Sequence, residues 1–329
     1  MVTGISVVIP NYNGVHLFEK NTLSTVVDAL QAVNKPSEII VVDDCSTDDS
    51  IAYLRKNYPD IKVIANEKNS GFSVTANRGI RAAAHDKVLL LNSDVKLTPD
   101  YFKNQFKYFD KPDTFGVMGR IVGWDDEKIQ DGAKYPSFHG SKIKTSGNYL
   151  LKDERQMEDG LYSAYLSGAN AFIDKEKFLL LGGLNEAFSP FYIEDFELSL
   201  RAWRLGFKCY YDYSSVCRHQ VSTSIKSKSK KKYVSAIYDR NKMYLHAIHL
   251  DGLQKLLWYM QLIPEALIRI FTFRWHYLRA LNMFLGSQDK VRESREDFER
   301  LSRKLNKKLS IKEVQRLILS SIRNEKFML

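Results

Sequence analysis

Three carboxylate clusters and one histidine stand where this chain could do chemistry. The first is Lys87-Val-Leu-Leu-Leu-Asn-Ser-Asp94, an uninterrupted apolar run that stops at Asn92, Ser93 and Asp94. Such a run suits a strand buried on both faces of a parallel sheet, and it leaves the Asp94 carboxylate just past the strand's carboxyl end. Ligands of open α/β sheets bind at that edge, and a carboxylate there can hold a cation. Asx-rich strand ends also make plain turns, and both readings stand. The second cluster, Asp43-Asp44-Cys-Ser-Thr-Asp48, closes another apolar run. Its adjacent carboxylates can accept hydrogen bonds from a base imide or a ribose hydroxyl, while Ser46 to Asp49 can cap the helix that follows. The third is Glu194-Asp195, at the start of a helical pattern that Gly206 stops. One of these carboxylates can cap the helix and serve its dipole, and the other can face a cleft as a general base. His219 follows a strand at 208–212, from which it could reach the edge that holds Asp94. Asn77 and Arg78 fall within a helix; Arg78 could meet a phosphate or a base, or remain a solvated surface residue.

The elements that must position these groups alternate. Strands are expected at 5–10, 38–43, 62–65 and 88–91, and helices at 17–34, 50–58 and 73–84. That rhythm calls for a parallel sheet with right-handed crossovers. The turn after the first strand is Pro10-Asn-Tyr-Asn-Gly14, so the Gly-x-Gly-x-x-Gly of dinucleotide enzymes is absent there, and no Gly-x-x-x-x-Gly-Lys occurs. From Thr98 a further helix through Phe109 leads to a strand at 114–122. The polar passage 124–159 reads as loops with a hairpin. A small-residue turn running into a strand, 167–173, and a short helix at 175–181 follow, the helix capped by Gly182-Gly183. After Glu194 a helix of about three turns is expected.

The charge is uneven. Residues 1–225 hold 26 Lys/Arg against 29 Asp/Glu, and residues 226–329 hold 23 against 10. A near-neutral body thus carries a basic C-terminal third, which suits an anionic membrane surface, nucleic acid or solubility. No recognised nucleic-acid fold accompanies the charge, so nucleic acid is not the expected partner. Cys45, Cys209 and Cys217 are too few and too irregular for a disulfide framework or a zinc site, which points to a reducing compartment. The N-terminus runs from Met1 straight into a strand, against a secretory signal. Residues 225–232 form a basic loop, either a solvated linker or a lid over a diphosphate. A helix is expected at 233–250, with Arg240-Asn241 in it. The apolar, aromatic stretch 253–285 is interrupted by Lys255, Glu265, Arg269, Arg274 and Arg279, too often for a membrane span. It suits a helix lying in a membrane interface or a helical pair packed on the catalytic part. Residues 289–327 read as charged and helical.

Taken together, SVVIPNYNG at 6–14, EIIVVDDCSTDDS at 38–50, NSGFSVTANRGI at 69–80, LLLNSD at 89–94, SGANAFI at 167–173, GGLNEAF at 182–188, YIEDFELSLRAWRLG at 192–206 and His219 make the chain resemble glycosyltransferase family 2. These are inverting enzymes of GT-A fold, and the last blocks are similar to the rhamnosyltransferase-like subgroup. The resemblance implies a Rossmann-like mixed sheet flanked by helices. It divides the chain into a catalytic domain at 1–225 (nucleotide-sugar half to about 122, acceptor half beyond) and a helical C-terminal region at 226–329. It implies a nucleotide pocket of Pro10, Asn11, Asp43, Asp44, Asn77, Arg78, Ser93 and Asp94, with Asp43 or Asp44 on the base. A divalent metal, Mg²⁺ or Mn²⁺, would be held by Asp94 and His219. Asn92 replaces the first Asp of the family's Asp-x-Asp motif, an uncharged oxygen donor that would hold a hard cation more weakly. Asp195 matches the general base, with Glu194 beside it at the catalytic position. The implied activity is transfer of a sugar from a UDP- or dTDP-sugar to a saccharide or lipid-linked acceptor in cell-surface polysaccharide synthesis. The implied location is the cytoplasm, peripheral to the cytoplasmic face of a membrane. Two other classes compete: a sugar-1-phosphate nucleotidyltransferase, which lacks its Gly-rich basic turn here, and a non-catalytic partner in an assembly complex, against which Asp94 and Asp195 both speak.

Overall fold

The computed structural model describes residues 4–151, 160–220, 228–322 and 326–328. The first ninety residues alternate as their apolar runs require: β1 (Ile5–Asn11), α1 (Val15–Phe18), α2 (Thr22–Val33), β2 (Ser37–Asp43), α3 (Ser50–Asn57), β3 (Lys62–Ala65), α4 (Phe72–Ala82) and β4 (Lys87–Leu91). The four strands pair in parallel in the order β3-β2-β1-β4. Val7, Val8, Val41, Val42 and Leu89 are fully buried, so both faces of this half are covered. The single helix expected at 17–34 is two, because Asn21 adopts a left-handed φ of 63° between them.

Beyond β4 the chain forms β5 (Val95–Leu97), β6 (Thr114–Gly123), β7 (Ile129–Asp131), the hairpin β8 (Pro136–His139) and β9 (Lys142–Thr145), then β10 (Tyr149–Leu151), β11 (Leu161–Tyr162) and β12 (Asn170–Asp174). The regular helix expected after Thr98 does not form; turns and a 3₁₀ stretch (Phe106–Asp110) take its place. Tyr101, Phe102 and Tyr108 nonetheless enter the core, with Lys103 and Lys107 exposed. After α5 (Lys175–Leu180) and α6 (Glu194–Arg204), β13 (Lys208–His219) is one long strand. It was expected to end at Asp212, but a register shift between Asp212 and Val216 absorbs the polar residues and carries pairing through to His219. The completed mixed sheet has ten strands, with antiparallel β12 joining β4 to β6 and β13 parallel to β6.

The C-terminal third is helical: α7 (Lys228–His249), α8 (Gly252–Phe271), α9 (Trp275–Leu285), α10 (Gln288–Leu305) and α11 (Ile311–Ser320), closing with β14 (Lys326–Met328) on β10. Residues 228–232, expected in a loop, belong to α7, and 225–227 lie outside the described residues. One apolar core runs from Val8 and Ala76 through α6 to Trp258, Phe284 and Ile318. Arg204 on α6 is nearly inaccessible and bonds the His249 carbonyl (2.8 Å), Asp251 (2.6 Å) and the Leu309 carbonyl (2.9 Å). The helices are therefore built onto the sheet layer. Among the described residues no helix is long and apolar enough to cross a membrane.

Candidate active site

The strand ladder places Asp94 and His219 side by side. β13 pairs antiparallel with β5 so that His219 faces Val95, next to Asp94. His219 Nε2 lies 3.4 Å from Asp94 Oδ2. The other ring nitrogen, Nδ1, is 2.8 Å from Gln130 Oε1, and the same amide donates from Nε2 to the His219 carbonyl (3.2 Å). An amide oxygen can only accept, so Nδ1 carries a proton and Nε2 is the ring nitrogen turned toward Asp94. Trp124 donates its indole N–H to the Asp94 carbonyl (3.0 Å). Asp94 Oδ1 is buried without a hydrogen-bond partner, an arrangement that costs free energy until a cation or donor arrives. One carboxylate oxygen and one imidazole nitrogen suit a divalent cation of the Mn²⁺ or Mg²⁺ class, with a phosphate and water completing the set. Asn92 sits two residues away, its backbone N–H donating to Ala169 (3.3 Å). No group of three or more His, Cys, Asp or Glu is gathered among the described residues, so protein side chains alone do not complete a metal cage.

Asp195 bonds the residue next to Ala169. Gly168 N–H donates to its Oδ2 (3.2 Å), and its Oδ1 accepts from its own neighbour Phe196 N–H (2.7 Å). Asn92 and Asp195 therefore bond Ala169 and Gly168, adjacent residues of one turn, which brings the strand end carrying Asp94 and the helix start carrying Asp195 together. Neither Glu194 nor Asp195 caps α6. The cap position is Ile193, whose φ is 74°, after Tyr192 at 76°, and no side chain bonds there. Two successive positive φ values at a Tyr and a β-branched residue are strained. Asn241 on α7 holds this strained entry, donating to the carbonyls of Phe188 (2.7 Å), Phe191 (2.9 Å) and Tyr192 (2.8 Å). Burial pushes the Asp195 carboxyl above its ordinary value, more than the N–H groups of Gly168 and Phe196 pull it down, and Asp131 adds to the rise. Burial and the Asp195 charge push Glu194 up to about 8, and its Oε2 is buried without a partner. A carboxylate with a raised pKa is a stronger base near neutral pH.

The nucleotide residues divide. Asp44 accepts from Ser70 N–H, Gly71 N–H and Asn66 Nδ2, each at 2.8 Å, and so ties the end of β2 to the start of α4. Gly71 has φ +87°, and a Cβ there would lie 2.8 Å from Pro190, so the chain can pass only as glycine. Asp43 is fully buried and bonded to Asn11 (2.9 Å) and to Ser46 N–H (2.8 Å) and Oγ (2.6 Å). Pro10 and Asn11 end β1 beside it. Asn11 Oδ1 is buried without a partner, and a Cβ at Gly14 would meet it at 2.2 Å and Ser93 Oγ at 3.6 Å, so these groups crowd one spot. Asn77 does not join them. Its amide bonds the backbone of Leu184 and the Glu186 carboxylate, bracing α4 on the acceptor half. Arg78 bonds the Ala65 carbonyl and Asn66 Oδ1, and acts on Asp44 only through Asn66.

Sequence reasoning passed over Gln130, Asp131, Lys134 and Tyr165. Tyr165 donates to Asp131 (2.8 Å), Lys134 Nζ donates to Tyr165 (2.7 Å) and is paired with Asp131, and these groups flank Asp195. Three of the four fall in the aperiodic passage 124–159; the only signal was the density of charge at 125–134. Tyr12, between Asn11 and Asn13, is half exposed.

Comparison with known proteins gives the family and the fold. The model of "Glycosyl transferase family 2" matches residues 6–179. The putative teichuronic acid biosynthesis glycosyltransferase TuaG of Bacillus subtilis is 24% identical over 243 residues, covering 65% of this chain and 88% of TuaG. The O-antigen chain rhamnosyltransferase WbaN of Salmonella anatum is 22% identical over 225 residues, 65% of each protein. Two further curated relatives are matched over less than half their own length, 47% and 14%. Among solved structures, GalNAc-T7 with UDP, GalNAc and Mn²⁺ superposes with a TM-score of 0.66 at 17% identity, covering 98% of this chain and 57% of that one, a likeness of fold.

Proposed function

The chain belongs to glycosyl transferase family 2, and from that premise we propose that it is an inverting sugar transferase. It takes a sugar from a UDP- or dTDP-sugar and passes it to a saccharide or lipid-linked saccharide acceptor during assembly of a surface polysaccharide. The observation that supports this reading is the pair of bonds to one turn, Asn92 N–H to the Ala169 carbonyl and Gly168 N–H to Asp195 Oδ2, which tie the strand end before Asp94 and the raised-pKa carboxylate at the start of α6 to adjacent residues. TuaG and WbaN, named for teichuronic acid and O-antigen chains, support the acceptor class.

Asp195 removes the proton from the acceptor hydroxyl as that oxygen attacks the anomeric carbon. The bond from that carbon to the diphosphate oxygen breaks, and the nucleoside diphosphate leaves with the electron pair. One in-line displacement inverts the anomeric centre. A divalent cation held by Asp94 and His219, with Asn92 near, would neutralise charge on the departing diphosphate. Gln130 holds the His219 Nδ1–H and so turns Nε2 toward it. Asp44 and the 66–71 turn form the wall toward the nucleoside, with the Tyr12 ring available to a base. The wall depends on Asp43 and Asn11 for its shape, and Arg78 steadies it through Asn66. Glu194, protonated near neutral pH, withholds a second negative charge from the base.

The test is Asp195→Asn with a panel of UDP-, dTDP- and GDP-sugars and Mn²⁺. Donor binding by calorimetry should stay near wild type, while transfer should fall by about 10²–10⁴-fold. The anomeric proton coupling of the product should show inversion. Wild-type turnover by the variant, or retention of configuration, would overturn the reading.

A further inference from the structure

Helix α8 is apolar on two sides. Trp258 and Leu262 face the core, while Leu253, Leu256, Met260, Ile263, Leu267 and Phe271 are all at least half exposed. Those six follow a spacing of three and four residues, one stripe about 27 Å long. At its end the turn into α9 presents Phe273 (76% exposed) and Trp275 (57%) with exposed Arg274 between them.

Charge narrows what can cover this face. Between Gly252 and Gln288 the sequence holds Lys255, Arg269, Arg274 and Arg279 against one carboxylate, Glu265. Glu265 is turned inward, paired with Lys142 and bonded by Tyr277 (2.8 Å). Lys255 and Arg269 are partly buried over the Tyr259 and Tyr277 rings, away from the stripe, while Arg274 and Arg279 at its Phe273–Trp275 end are exposed. The exposed charge at that end is therefore positive, which an anionic lipid surface complements and a second copy of the same tip would not. Aromatic rings next to an arginine at the border of an apolar stripe are the composition of helices lying in a bilayer interface.

The surface is joined to the catalytic part. His276 Nε2 lies 3.9 Å from Asp239 on α7, and the Arg279 guanidinium covers the Tyr233 ring at 5.5 Å. One turn on, the exposed Tyr238 meets exposed Tyr192 edge-on at 5.9 Å, directly ahead of Ile193, Glu194 and Asp195. We propose that the outer stripe of α8 and the Phe271–Trp275 tip dock the protein on an anionic bilayer, with the Tyr192 side of the Asp195 site turned to the lipid. Docking stands independently of the transfer chemistry; what it presents to the site rests on the proposed function.

The test is flotation of the full chain with phosphatidylcholine vesicles, with and without phosphatidylglycerol, at low and high salt. The wild type should float with the anionic vesicles and release in salt. The triple variant Phe271→Ser, Phe273→Ser, Trp275→Ser should lose about tenfold or more in partitioning, with unchanged thermal melting and donor hydrolysis. Arg274→Glu should weaken binding to anionic vesicles only. Asp195→Asn should float like wild type, which separates this surface from the catalytic reading. Failure to bind anionic vesicles at low salt would overturn the proposal. So would a stable dimer that the triple variant converts to monomer while vesicle binding stays absent.

Discussion

Glu194 and Asp195 are adjacent carboxyls held above the ordinary range by burial, and this has two measurable consequences of opposite sign. The rate requires Asp195 deprotonated, so activity should rise with pH through an acid limb above that of an exposed aspartate. Asp131→Asn removes a neighbouring negative charge that raises Asp195, and the limb in a pH–rate profile should move to lower pH. Stability runs the other way. Between the ordinary Glu value of 4.5 and about 8 the folded state holds a proton on Glu194 that the unfolded state has lost, so stability is full below that window and falls as pH rises through it. Thermal melting across the window should show the decline, and Glu194→Gln should flatten it. Asp94 could be picked out in the sequence because it closes an apolar run, and Asp195 because it opens a helical one, whereas His219 stood seven residues past a strand expected to end at Asp212. Gln130, Asp131 and Lys134 could not, since no period governs the passage around them and only tertiary contacts give them partners.

At the scale of elements, the approach to α6 is the part that local rules did not foretell. A helix starting at Glu194 was legible from the 3.6-residue spacing, but its cap is a strained Ile193 with no side-chain bond. What keeps it there is Asn241, about fifty residues away, donating to three carbonyls of the entry loop. Asn241→Ala should cost roughly 1–3 kcal/mol by leaving buried carbonyls unpaired. It should also lower kcat more than the donor KM, because the residue positions the base and not the nucleotide; steady-state kinetics and chemical denaturation would separate the two effects. The parallel half of the sheet was readable from its continuous apolar runs. The break at Asn21 and the irregular stretch after Thr98 were not, because both obey packing and a left-handed residue instead of periodicity.

For the whole molecule, the basic C-terminal helices share a core with the sheet layer. Arg204 is locked to α7 and to the segment before α11, and Trp258, Phe284 and Ile318 share a core with the catalytic sheet. A chain stopped at residue 225 should expose that core and aggregate or bind a hydrophobic dye, whereas the full chain should not. A last consequence comes from β13 and its register shift. Gain or loss of one residue at Tyr213, Ser214 or Ser215 changes only the size of a bulge. The same change at Arg218 inverts the alternation of sides and sends the imidazole away from Asp94. Length variation in descendants of this gene should therefore gather in the bulge and stop short of the final three rungs.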